Sequence, residues 1–235
     1  MSLKLPLTLP RSGALASSPK FLPLASFPYL RLTGTNGVYA SSPDSAHVSV
    51  TGDLDIDVWV AYNSYTVYGH LLSKISSGTQ RSYRFSVMAT GKLRLDYSIT
   101  GSAAISVDCS ANIPATAGQG IWLRVTRVSA SGAVKFYTSD DGLTWTQLGN
   151  NATNTAGSIF DGTSIVEVGA SFAGTDGAAN GKVYRARVFN GLRENGGTVV
   201  FDANFMDRRA GLTSFAENAK GATVTLVGAA SIVAP

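Results

Sequence analysis

Three aspartates alternate in the stretch Asp53-Leu54-Asp55-Ile56-Asp57, and Trp59 follows two positions on. Alternate residues of a β-strand share a face, with Cα atoms roughly 6.6 Å apart. Two carboxyls on one face, about 5–5.5 Å apart, are what retaining glycoside hydrolysis requires, one as nucleophile and one as general acid. The same spacing also suits a strand with one wet face, because Leu54, Ile56, Val58 and Val60 supply a complete apolar face opposite the aspartates. We read the aspartates as the solvated face of an outer strand.

Other chemistry-bearing residues are sparse. Trp59, Tyr62, Tyr65 and Tyr68 lie in and just after this strand. Aromatic rings beside polar groups in the segment 62–70 are a candidate sugar-stacking platform. Packing at the edge of the fold or against a neighbouring subunit is the competing reading. His47 and His70 are far apart in sequence and Cys109 is the single cysteine, so neither a zinc site nor an internal disulfide is expected. Asp140, Asp141, Asp161 and Asp176 fall in loops but lack the dense oxygen-ligand spacing of a known calcium loop. No cofactor is expected, with calcium left open. There is no glycine-rich phosphate loop, and no Ser-His-Asp order stands out. Asn151-Ala152-Thr153 is a glycosylation sequon without a secretion signal beside it.

The elements that must position these residues are strands. From Ile121 to Leu148 the chain reads as a meander. Leu123 and Val125 alternate with Arg124 and Thr126, and Val134 and Phe136 alternate with Lys135 and Tyr137. A turn at Ser139-Asp140-Asp141-Gly142 leads into Leu143-Thr144-Trp145-Thr146. The same alternation recurs from Tyr29 to Val227, and no long amphipathic helix is legible. Twelve to fourteen short strands at regular spacing predict two packed antiparallel sheets. Only 14% of residues are charged, with a formal net charge of +4. The basic residues come in pairs (Arg81/Arg84, Lys92/Arg94, Arg124/Arg127, Arg185/Arg187, Arg208/Arg209), which we read as solvated sheet faces and not as a nucleic-acid stripe.

Residues 1–28 differ from the rest. Prolines recur every few residues and exclude helix and central strand, yet Leu3, Leu5, Leu7, Leu9, Phe21, Leu22, Leu24 and Phe27 make the segment apolar. Such a chain is expected to lie extended on a partner as an anchoring arm. The prolines also interrupt any run long enough for a signal peptide or a membrane span.

Four pieces, in order, resemble the concanavalin A-like lectin/glucanase superfamily in its laminin-G-like form. They are Val38–Asp44 with Gly52–Val60; Leu72-Ser73-Lys74 with Tyr83-Arg84-Phe85 and Gly91-Lys92-Leu93; Trp122–Arg127 with Lys135-Phe136-Tyr137; and Gly181–Phe189. The glucanases of that superfamily carry glutamates at the outer positions of their catalytic strand, where this chain has aspartates, so the resemblance implies a non-enzymatic member. Ser139–Trp145 is similar to the Asp-box hairpin of sialidases, one residue short between Asp141 and Gly142, and is expected to be a structural turn. Ser139–Gly149 and the ending Val200–Phe205, Gly211–Phe215 and Ala222–Leu226 resemble laminin-G-like virion proteins of tailed bacteriophages.

The expectation is therefore an all-β, concanavalin A-like jelly-roll sandwich over 29–235 preceded by the arm 1–28. The resemblance implies a non-enzymatic phage structural protein, of the capsid-decoration, minor capsid or minor tail type. It would be folded in the host cytoplasm and carried in the virion as a homo-oligomer or high-copy assembly. Its partners would be other capsid or tail subunits, not nucleic acid or membrane. The alternative is a carbohydrate-binding module for host surface glycans, and a third reading is a glycan hydrolase acting through the aspartates.

Overall fold

The computed structural model describes residues 26–235. Of the predicted arm residues, Leu3, Leu5, Leu7, Leu9, Phe21, Leu22 and Leu24 lie outside the described residues. In chain order the strands are β1 (Tyr29–Thr33), β2 (Tyr39–Ser42), β3 (Leu54–Tyr62), β4 (Gly69–Ile75), β5 (Arg81–Val87), β6 (Lys92–Tyr97), β7 (Ile105–Asn112) and β8 (Ile121–Arg127). They continue with β9 (Ala133–Ser139), β10 (Thr146–Thr153), β11 (Val166–Val168), β12 (Asn180–Asn190), β13 (Thr198–Asn204), β14 (Ser214–Ala216), β15 (Thr223–Val227) and β16 (Ser231–Val233). Among the described residues the one helical element named beside them is a single 3-10 turn at Arg193–Asn195.

The strands form two antiparallel sheets packed as a sandwich. Sheet A runs β10-β9-β8-β3-β12-β1-β16, and the long β12 also pairs with β13. β1 takes Asn180–Val183 of β12 and β13 takes Arg185–Asn190, so both lie in line on the edge of β12 away from β3. Sheet B runs β14-β15-β2-β11-β4-β5-β6-β7. The apolar face predicted for β3 is found where alternation puts it: Leu54, Ile56, Val58 and Val60 join Leu123 and Val125 of β8 in the core. Tyr83, Phe85 and Val87 of β5 and Leu93, Leu95 and Tyr97 of β6 face them from sheet B. Phe85 and Phe136 stack across the gap with ring centroids 6.5 Å apart.

Three expectations need correction. First, β3 is not an outer strand. It lies between β8 and β12, and Asp55 and Asp57 are fully buried. Second, the basic pair at Arg124 and Arg127 is not a solvated face; both side chains are buried. Arg124 lies on the outer side of sheet A. Arg127 lies at the core-side end of β8, where its Nη2 donates to the carbonyls of Thr155 and Gly157 and its guanidinium stands 4.1 Å from the Tyr97 ring centre. Third, the strand after the Asp140–Gly142 turn starts at Thr146, not Leu143, and runs on to Thr153 through a register shift between Leu148 and Ala152. The Asp141 carboxylate accepts the N–H groups of Leu143 and Thr144, which removes them from any ladder. Those bonds hold the Asp141 carboxyl down to about 2. Gly142 is required here: its φ is +71° and a Cβ would meet the Trp122 ring at 2.7 Å.

Candidate functional site

The outer face of sheet A carries the aspartates, and the structure uses them as ion-pair anchors. Register places Arg124 of β8 and Arg187 of β12 on either side of Asp57. Arg124 donates to both oxygens of Asp55 at 2.8 and 2.6 Å, and Arg187 donates to both oxygens of Asp57 at 2.8 Å. Arg193, from the 3-10 turn, closes over both carboxylates, 3.0 Å from Asp55 and 2.6 Å from Asp57. Burial pushes the Asp55 carboxyl upward, but Arg124 and Arg193 outweigh it and hold Asp55 below the usual carboxylate range. Neither aspartate is left as an accessible acid to protonate a glycosidic oxygen. The indoles of Trp59 and Trp122 stack at 5.5 Å beside this network, Trp145 meets Trp122 edge-on at 6.4 Å, and Phe27 meets Trp59 edge-on at 5.7 Å. Arg187 lies over the Trp122 ring, and Arg124 and Arg193 lie over that of Trp145.

The four aromatics proposed as a sugar platform do not form one surface. Trp59 sits on sheet A in the stack just described. Tyr62 and Tyr65 are buried in the core cluster, with the Tyr65 hydroxyl donating to the Gln119 carbonyl at 2.7 Å and Tyr62 to that of His70 at 3.2 Å. They are buried because 62–65 folds back over the end of the sandwich instead of projecting from it. Tyr68 alone reaches the outer side of sheet B, against His70.

That side of sheet B holds a second polar array. Cross-strand register aligns Ser41, Glu167, Ser73, Arg84, Asp96 and Ser106 in one row, from β2 to β7. Arg84 donates twice to Asp96, at 3.0 and 2.8 Å, and once to Asp176 at 3.2 Å. Asp176 also meets His70 Nε2 at 3.1 Å, while His70 Nδ1 meets Ser86 Oγ at 2.8 Å. Burial lowers the His70 pKa against the opposing pull of Asp176, so the imidazole is neutral at neutral pH. Ser86, His70 and Asp176 thus touch in the order of a nucleophile–base–carboxylate relay. Ser86 is fully buried, however, and its hydroxyl has no route to a substrate carbonyl. His70 is itself roofed by the chain: a Cβ on Gly177 would come within 2.2 Å of its ring.

The roof is the loop 171–177, and it is strained. Phe172 and Ala173 hold φ of 55° and 54°, the two non-glycine residues with positive φ among those described. Glu167 holds them there: its carboxylate accepts the N–H of Gly174 at 2.8 Å and of Ala173 at 3.2 Å. Glu167 is fully covered, and burial pushes its carboxyl up to about 7 against the pull of those donors. Beside the loop lies an open cleft of about 600 Å³, bounded by Ile75, Arg81, Thr163, Glu167, Phe172 and Thr175. The Arg81 Nε is buried with no hydrogen-bond partner among the described residues. Hydroxyls, one aromatic ring, a guanidinium and a carboxyl line this cleft, which makes it a candidate small-molecule site.

Two of the loop carboxylates weighed for calcium are engaged by the chain itself. Asp141 is engaged by backbone N–H groups and Asp176 by Arg84 and His70. Among the described residues no three His, Cys, Asp or Glu side chains come together as a metal site. Glu167, Phe172 and Arg81 were not singled out from the sequence. A faint signal existed at Val166-Glu167-Val168, where one acid interrupts an apolar strand, but nothing local shows which loop covers it.

No protein-family model matches the sequence, and no curated protein matches it. Solved structures do match in fold. A candidate carbohydrate-binding protein from Bacteroides ovatus superposes with a TM-score of 0.62 at 9% identity, over 90% of this chain and 61% of that one. The CBM40 module of the Ruminococcus gnavus IT-sialidase, bound to α2,3-sialyllactose, gives 0.51 at 12% identity, over 69% and 91%. Domains LG4-5 of the mouse laminin α1 chain give 0.50 at 15%, over 75% and 43%. The chain spans about three-fifths of the Bacteroides protein's length and less than half of the laminin pair. At these identities the likeness is one of fold: a two-sheet antiparallel sandwich of the concanavalin A-like kind.

Proposed function

We propose that the protein is a non-enzymatic carbohydrate-binding module whose ligand sits in the cleft between the Glu167 strand, the start of β5 and the loop 171–177. The observation that carries this reading is the loop itself: two non-glycine residues are held in left-handed conformation by a buried carboxylate at the edge of an open, hydroxyl-lined cleft. Strain of that kind persists where surrounding structure enforces it, and it concentrates at ligand sites. The lectin-type architecture supports the same reading, as does the burial of both candidate catalytic aspartates beneath arginines.

The test is a glycan array probed with the intact protein, followed by titration calorimetry of Phe172→Ala and Trp59→Ala. Binding that falls tenfold or more in Phe172→Ala and persists in Trp59→Ala places the ligand in the cleft. The reverse pattern moves it to sheet A, and an array without a hit ends the reading.

A second reading rests on the resemblance of Ser139–Gly149 and Val200–Leu226 to phage virion proteins. In it the sandwich is displayed on a phage particle, and the arm 1–28 anchors it to capsid or tail subunits. The two readings are compatible, since a displayed module serves adhesion to host glycans. Co-sedimentation with particles assembled without this protein tests the second: capture of the full chain and loss of capture on deleting 1–28 supports it, and absence of capture for both rejects it.

A further inference from the structure

We propose that the ligand of this cleft is an acidic glycan, whose oxyanion substituent is recognised by the guanidinium of Arg81. The inference rests on the carbohydrate-binding reading and adds the chemical class of the sugar.

Arg81 shares with Arg127 a buried Nε without an acceptor, but Arg127 is fully buried and donates to the carbonyls of Thr155 and Gly157, whereas Arg81 lines the cleft. Arg84, Arg94, Arg124, Arg185, Arg187, Arg193 and Arg208 each hold a carboxylate. Arg81 has no ion pair among the described residues, and its Nε is buried without an acceptor. Its backbone is fixed at the start of β5, where the N–H donates to the Gly101 carbonyl at 3.1 Å. The Nε itself faces no solvent, so the Nη end of the guanidinium, which carries no ion pair among the described residues, is what the cleft leaves for an acceptor from outside. The two Nη groups of a planar guanidinium present a fork that fits a carboxylate or a sulfate. The rest of the lining suits the sugar ring that would carry such a group: the hydroxyls of Ser76 and Thr163 donate to the Ser77 carbonyl and Gln80 and leave their oxygens as acceptors, Ser77 adds a further hydroxyl, and Phe172 and Ile165 offer apolar surface.

Glu167 at the floor of the same cleft couples this binding to pH. The charged and titratable groups around it are few. Tyr39 on β2 interacts with it electrostatically, and its phenol is raised by burial and by Glu167. Arg81 at the start of β5 shares the cleft. Arg84 and Asp176 form their own pair in the adjoining cluster. The cross-strand neighbours Ser41 and Ser73 carry no charge. An anion in the cleft is therefore opposed by ionised Glu167 and not by its protonated form, which exists below about pH 7. Affinity is greatest at acid pH and falls as the carboxyl ionises, by up to about tenfold per pH unit where one proton is linked to binding.

The test uses the full chain on matched neutral, uronic-acid and sulfated oligosaccharides, with titration calorimetry from pH 5.5 to 8.5. Preference for uronic-acid probes, a loss of tenfold or more in Arg81→Gln with the same thermal midpoint, and a flattened pH profile in Glu167→Gln are the expected results. A preference for the sulfated probes with the same dependence on Arg81 identifies sulfate as the oxyanion source. Neutral probes bound as tightly as acidic ones, with Arg81→Gln unchanged, overturn the acidic-ligand inference while the carbohydrate-binding reading stands. No binding to any probe removes both.

Discussion

Asp55 shows how one residue type serves opposite roles. In sequence it is one of three alternating carboxylates. In the structure it is fully buried and accepts four hydrogen bonds from two arginine side chains and one from the Arg193 backbone N–H. Replacing one member of a buried pair leaves the other uncompensated, at a cost of about 3–5 kcal/mol. Asp55→Asn is therefore expected to lower stability by about that amount at pH 7, measured by urea unfolding. The sign of the pH dependence follows from its lowered pKa. Asp55 contributes stability above the unfolded carboxylate range, near pH 4, and that stability is lost as pH falls through the lower folded value. The gap in stability between the variant and the parent should narrow as pH falls below about 4, and a constant gap on acidification would show that Asp55 acts through packing alone.

At the scale of elements, register sets who meets whom, and one loop departs from relaxed geometry. Cross-strand pairing delivers Arg124 and Arg187 to Asp57 and aligns Arg84 with Asp96, so both polar arrays are consequences of strand order. The loop 171–177 is different: Phe172 and Ala173 pay a left-handed conformation that glycine adopts freely. Ala173→Gly is expected to raise stability by about 1 kcal/mol, read as a higher thermal midpoint. It is also expected to weaken ligand affinity severalfold as the loop gains freedom. A lower midpoint would mean that the Ala173 methyl packs usefully and that the strain is not relieved.

Across the whole molecule, the two sheets are joined by one apolar core. Phe85 of sheet B and Phe136 of sheet A are both fully buried and stacked across the interface. Phe85→Ala removes a ring from that junction and is expected to cost about 3–5 kcal/mol, with the near-ultraviolet and far-ultraviolet signals lost together. Separate transitions would show that the sheets unfold independently.

Much of this architecture was legible because strand periodicity is local. The alternation in Leu54–Val60, Leu123–Val125 and Tyr83–Val87 identifies strands and their buried faces from neighbouring residues alone, and the turn chemistry of Gly142 is written in its own tetrapeptide. The short strands at Ser214–Ala216 and Ser231–Val233 were missed, since three residues carry no periodicity to read. The sequence by itself determined an all-β sandwich, the inner face of each long strand, and the placement of Asp55, Asp57, Arg124 and Arg187 on the face opposite the core. Only the tertiary structure decided that β3 is central, and hence that Asp55 and Asp57 are buried under arginines from strands far along the chain. It also decided that Glu167, Arg81 and Phe172 share a cleft. The physical reason is range: side-chain direction follows from the residue before and after, whereas strand order and loop placement depend on contacts between distant segments, as in the pair of Asp57 and Arg187, 130 residues apart.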